Sequence, residues 1–149
     1  MSYPLALNEI IELFEFLPES ERRENLINYA EAAAACARKE GDVYDVEDVR
    51  KDEECTDTVG VFLRVDAEDR VHFAIELGPK VQTLTKAMTA ILCRGLNGST
   101  VSEVMAVPAD FVPRIIGAEL VRLRSQTVYY VLSRIKTAVK MFMDQRRRA

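Results

Sequence analysis

The chain has 149 residues, 48% hydrophobic and 30% charged, an ordinary composition for a globular protein and most simply one domain, 1-149. Twenty basic against 24 acidic side chains leave a net charge of −4, which argues against a general nucleic-acid binder, and no apolar run reaches the ~18 residues a membrane helix needs. The three cysteines stand at 36, 55 and 93 without a Cys-x-x-Cys pair, as expected of free thiols in a reducing cytoplasm rather than a disulfide scaffold.

Helical periodicity opens the chain. Leu7, Ile10, Ile11, Phe14 and Leu17 fall at the spacing that lines one helix face, and Pro18 ends the segment. The first residues lack a basic region and carry glutamates within the apolar pattern, so no secretory leader is expected. The stretch ESERRENLINYAEAAAACARKEG predicts a second helix running to about Lys39, with Leu26, Ile27, Ala30, Ala33 and Ala34 facing inward and Gly41 as its stop. Cys36 in its alanine-rich part reads as a packing residue.

After Gly41 the period changes to two. A short strand is expected within Val43 to Val49. Val59, Val61, Leu63 and Val65 alternate, as do Val71, Phe73, Ile75 and Leu77, predicting an antiparallel hairpin around DAED with one buried face. His72 alternates out of phase with Val71 and Phe73, which puts it on the polar face. Helical spacing returns from Lys80 to about Leu96 (Val81, Leu84, Met88, Ile91, Leu92), with Cys93 beside the apolar stripe. Asn97-Gly98 predicts a turn, Thr100 and Glu103 stand at capping-box spacing, and ADFVPRIIG suggests a short helix or turn. The last helix, from about Ser125 to Met143, has an unbroken apolar face of Val128, Val131, Leu132, Ile135, Val139 and Phe142. The order is N-terminal helices, a small antiparallel sheet of about three strands, then C-terminal helices: an α+β fold. The DQRRRA tail reads as a solvated helix end.

Most catalytic constellations are absent. One histidine rules out most His-based metal sites and makes a Ser-His-Asp triad improbable. Glycines stand singly, without a phosphate-cradling pattern. Sulfur is what remains. Cys36 and Cys93 lie among Ala, Ile and Leu, where burial makes a thiol inert, whereas Cys55 lies in a polar loop, RKDEECTDTVGV, just ahead of a strand. Its neighbours Asp52, Glu53, Glu54 and Asp57 disfavour a thiolate.

Helix LPESERRENLINYAE, the loop cysteine, hairpin VGVFLRVDAEDRVHFAIEL, NGSTVSEV and LVRLRSQTVYYVLSRIK occur in the order seen in SufE-type sulfur acceptors, and the chain resembles that family from about Leu17 to Lys136. Arg124-Ser125-Gln126 resembles the family's RS-x-GL segment opening the last helix. The resemblance implies a SufE/NifU-like fold. It also implies a carrier that takes persulfide sulfur from a pyridoxal-phosphate cysteine desulfurase on Cys55, stimulates that enzyme, and delivers the sulfur to an iron–sulfur scaffold complex. Arg124 is implied in a supporting role near the cysteine or at the partner surface. No metal or cofactor of its own is implied. The sequence departs from the family at Glu54-Cys55-Thr56-Asp57, where Gly-Cys-Gln-Ser is usual, and at Val59-Gly60, where Val-Trp is usual. The acidic and serine residues common at the start of the following helix are not evident near ELGPKVQT. Two other readings stay open. An IscU-type cluster scaffold would use three thiols, and an interaction or regulatory module would keep the fold without sulfur transfer.

Overall fold

A computed structural model describes residues 3–51 and 57–148. Among them are seven α-helices and a three-stranded antiparallel sheet of order β1-β2-β3. Helix α1 (Leu5–Phe16) buries Leu7, Ile10, Ile11 and Phe14, the stripe read from the sequence. Helix α2 (Glu19–Glu31) follows Pro18 directly.

The second helix is shorter than expected. It gives way at Ala32 to a 3-10 helix, Ala32–Cys36, so the α-helical geometry predicted to Lys39 stops at Glu31. Only Leu26 and Ala30 of α2 are buried, a narrow stripe against the helix that follows the sheet. Ile27, about 100° further round the helix, is 48% exposed, and Ala34 is exposed, so neither faces inward as the spacing suggested. Ala33 is buried as the spacing suggested, and Cys36, at the end of the 3-10 turn, packs half-buried against the core.

Strand β1 (Val46–Lys51) pairs with β2 (Thr58–Val65), from Val46 opposite Leu63 to Lys51 opposite Thr58. Strand β3 (Val71–Leu77) pairs with β2 as the alternation required, with Val61 opposite Ile75 and Leu63 opposite Phe73 on the buried face. The turn between them is closed by Asp66, whose Oδ1 accepts from the Glu68 and Arg70 N–H groups while its other oxygen meets His72 Nε2 at 2.9 Å. His72 thus sits half-buried on the polar side, as its phase predicted. The outer edge of β3 is covered rather than open: Asn97 Oδ1 accepts the Phe73 N–H at 2.7 Å and Ser99 O accepts the Val71 N–H at 2.8 Å.

Helix α3 (Thr83–Leu96) is the centre of the molecule, packed by α1, α2, β3 and the final helix. It starts three residues later than Lys80, because Pro79 and a turn from the Val81 N–H to Gly78 O occupy those positions. Thr100 and Glu103 form the expected capping box at the head of α4 (Val101–Ala106). ADFVPRIIG folds as a 3-10 turn running into α5 (Val112–Ile116), then α6 (Ala118–Leu123). Helix α7 (Ser125–Arg148) closes the structure, its face of Val128, Val131, Leu132, Ile135 and Val139 buried against α3 and the sheet.

Candidate functional site

Cys55 lies outside the described residues, as do its neighbours 52–56. What surrounds them is well defined. The chain leaves β1 at Lys51 and re-enters the sheet at Thr58, and these two residues face each other across the ladder. Asp57, first of the described residues after the cysteine, is fastened in place. Its Oδ1 accepts the Thr58 N–H at 2.7 Å and its Oδ2 accepts the Lys80 N–H at 2.8 Å, across to the segment between β3 and α3. Gly78 makes room for this, since a Cβ there would run into the Asp57 carboxylate. The two backbone donors, with Lys51 and Lys80 nearby, hold the Asp57 carboxyl below its ordinary range. One acid of the group around Cys55 is therefore a structural anchor.

Beneath the same strands lies a residue that reading for chemistry passed over. Arg134 on α7 is 2% exposed, yet charged. Its Nη2 donates to the carbonyls of Asp48 on β1 (2.7 Å) and Val59 on β2 (2.9 Å), its Nη1 to Tyr130 Oη (2.6 Å), and its Nε meets Asp48 Oδ2 at 3.4 Å. One guanidinium thus ties both strands flanking the Cys55 segment to the last helix. The signal was available in the sequence: position 134 is three residues after Val131 and four before Ala138, in phase with the buried stripe.

Arg124 is exposed at the junction of α6 and α7, and no described residue pairs with its guanidinium. The first half of the helix it precedes flanks β1, where a cleft of about 310 Å³ is lined by Arg50, Gln126, Tyr130 and Arg134 among others.

The other two thiols differ from expectation in one respect. Cys93 is buried, as its stripe implied, but Cys36 is only half-buried. The 3-10 turn packs on α3, and the two cysteines line one pocket, where each perturbs the other, Cys36 downward and Cys93 upward. Among the described residues no group of three or more His, Cys, Asp or Glu could hold a metal ion. Nor is any described helix long and apolar enough to cross a membrane.

With this geometry in hand, comparison with known proteins is informative. The family model for the SufE domain, described as an Fe-S metabolism associated domain, matches residues 8–139. The chain belongs to the SufE family. The description of that family ties it to iron–sulfur metabolism. Two relatives named as uncharacterized SufE-like proteins, from two strains of Mycobacterium tuberculosis, are each 33% identical over 85 residues. That alignment covers 54% of this chain and 57% of theirs, so it spans little more than half the length of either. In three dimensions the chain is similar to a hypothetical protein from Thermus thermophilus (TM-score 0.74, 24% identity, covering 96% of this chain and 99% of that one). It is also similar to the N-terminal part of a nitrogen-fixing NifU-like protein from Brucella abortus (TM-score 0.59, 15% identity, covering 80% and 92%). Those two likenesses bear on the fold, which is that of the SufE and NifU-like proteins.

Proposed function

We propose that the protein is a sulfur carrier for iron–sulfur cluster assembly, with Cys55 as its acceptor. The observation that carries this reading is the SufE family match running across position 55, where a thiol falls between the paired ends of β1 and β2. The donor is a pyridoxal-phosphate cysteine desulfurase and the recipient an iron–sulfur scaffold complex, both expected in the cytoplasm. The Cys55 thiolate attacks the outer sulfur of the donor's persulfide. A new S–S bond forms on Cys55, the donor's S–S bond breaks, and the electron pair leaves on the donor cysteine as thiolate, with no net oxidation. The protein turns over nothing alone; it accelerates its partner by removing the sulfur. Acidic neighbours in sequence keep the Cys55 thiol protonated until a partner supplies counter-charge, and exposed Arg124 is available at the surface for that docking.

The test is sulfide release by a cysteine desulfurase with a mild reductant, alone and with this protein. Wild type raises the rate, and Cys55→Ser abolishes the increase while leaving the circular-dichroism melt unchanged. Stimulation by Cys55→Ser equal to wild type would favour the interaction module instead. Arg124→Ala is expected to raise the concentration needed for half-maximal stimulation rather than lower the plateau.

A further inference from the structure

The thiol pair formed by Cys36 and Cys93 lies apart in sequence from the acceptor, and the carrier reading does not use it. Both cysteines line a half-open pocket of about 460 Å³ between the Ala32–Cys36 turn, β3 and α3. That volume suits a ligand of small-peptide size rather than a diatomic oxidant. Its charged lining is one-sided: Lys39, Arg64 and Arg94 face one carboxylate, Asp42, which is engaged by the Tyr44 hydroxyl. None of these three cations is ion-paired with a described residue; Arg94 instead lies over the Tyr29 ring, 5.2 Å from its centroid.

The two thiols are unequal. Cys36 is half-buried and lines the pocket, and the neighbouring Cys93 thiol and the Arg94 charge favour its thiolate against the penalty of partial burial. Cys93 lines the same pocket but is only 6% exposed, and the Cys36 thiol and deeper burial push its thiol up, keeping it protonated. This is the asymmetry of a nucleophilic thiol with a resolving partner, one sulfur being more open to solvent than the other.

We propose that Cys36 and Cys93 form a second reactive thiol centre that accepts a small anionic disulfide into this cationic pocket and is converted to an internal Cys36–Cys93 disulfide. The Cys36 thiolate attacks one sulfur of the incoming disulfide, forming a mixed disulfide and expelling one thiolate. The Cys93 thiol then attacks Cys36 Sγ; the Cys36–Cys93 bond forms, the mixed disulfide breaks, and the Cys93 proton leaves with the second thiol. Two electrons pass from the protein pair to the incoming disulfide, which ends as two thiols. The new bond staples the end of the 3-10 turn to the central helix α3, the two elements already being packed together.

Cys55→Ser protein, reduced and then exposed to glutathione disulfide, tests this apart from any chemistry of the acceptor cysteine. Peptide mapping should find Cys36 joined to Cys93. In the Cys55→Ser, Cys93→Ala double variant, a glutathione mixed disulfide should accumulate on Cys36 instead. Cystamine, the cationic disulfide of similar reactivity, should react about tenfold more slowly at low ionic strength, and Arg94→Gln should narrow that gap. Unmodified Cys36 in the single variant after exhaustive treatment, or equal rates for the two disulfides, would overturn the proposal. The single variant keeps both Cys36 and Cys93, so the result stands even if Cys93→Ala fails to fold.

Discussion

Arg134 is a charge at a nearly fully buried position, and it is tolerated because its donors are answered by two strand carbonyls, a phenol and a carboxylate. Removing it takes a donor from the Asp48 and Val59 carbonyls and leaves the Asp48 carboxylate with Arg50 alone among the described residues. Arg134→Gln should therefore destabilise the protein by about 3 kcal/mol in denaturant titration, and Arg134→Lys should recover only part of this because an ammonium lacks the planar fork. Asp57 makes a pH-dependent contribution. Its carboxyl titrates below its ordinary value of 3.8 in the folded protein, so its stabilisation is fully present above that value and is lost as pH falls through the folded one. The melting temperature of Asp57→Asn should accordingly fall less steeply than that of wild type between about pH 5 and about pH 3. Asp66, held at about 2 by His72 and the Arg70 N–H, contributes acid sensitivity in both proteins, as do Glu15 and Glu76, held low by Arg114 and Arg38.

Among the elements, β2 departs most from what alternation suggests. The inner face of Val59, Val61 and Leu63 is as expected, but Gly60 and Phe62 on the opposite face are buried too. Phe62 is roofed by the Arg38 guanidinium, 4.2 Å from its ring centroid, and flanked by Tyr44. A Cβ at Gly60 would stand 2.9 Å from the Phe62 ring and 3.2 Å from a Val49 methyl. The aromatic volume expected at position 60 from the family pattern is thus supplied by Phe62, two residues along the same face. Gly60→Trp should destabilise wild type yet be tolerated better beside Phe62→Ala, with a coupling of about 1 kcal/mol or more in a double-mutant cycle. Helix α1, the β2–β3 hairpin, the capping box and α7 were legible because apolar period and cap chemistry agreed there. The end of α2 was not: a run of alanines fits α and 3-10 geometry alike, and packing on α3 chose between them. Helix α6 was missed for a related reason, since none of its residues is buried and it carries no stripe to read.

At the scale of the molecule, α3 and α7 cover the inner face of the sheet and α1 backs α3, while the sequence concentrates thiol chemistry in two unlike settings. The candidate acceptor was legible as a thiol outside any apolar pattern, and its proposed role rests on the resemblance to the SufE family. The pairing of Cys36 with Cys93, 57 positions apart, was not legible, because no local period reports which face of a turn meets which helix. The phase of position 134 reports its burial but not the strand carbonyls it meets, and the reach of Asp57 to the Lys80 N–H was hidden likewise, since those partners are distant in sequence. The central claim, that sulfur is accepted on Cys55, is tested most directly by intact mass after incubation with a cysteine desulfurase and cysteine. Three proteins suffice: wild type, Cys55→Ser, and a variant retaining Cys55 alone (Cys36→Ser, Cys93→Ala). An adduct of one sulfur atom on wild type and on the Cys55-only protein, absent from Cys55→Ser, is the predicted result; an adduct that persists on Cys55→Ser would contradict it.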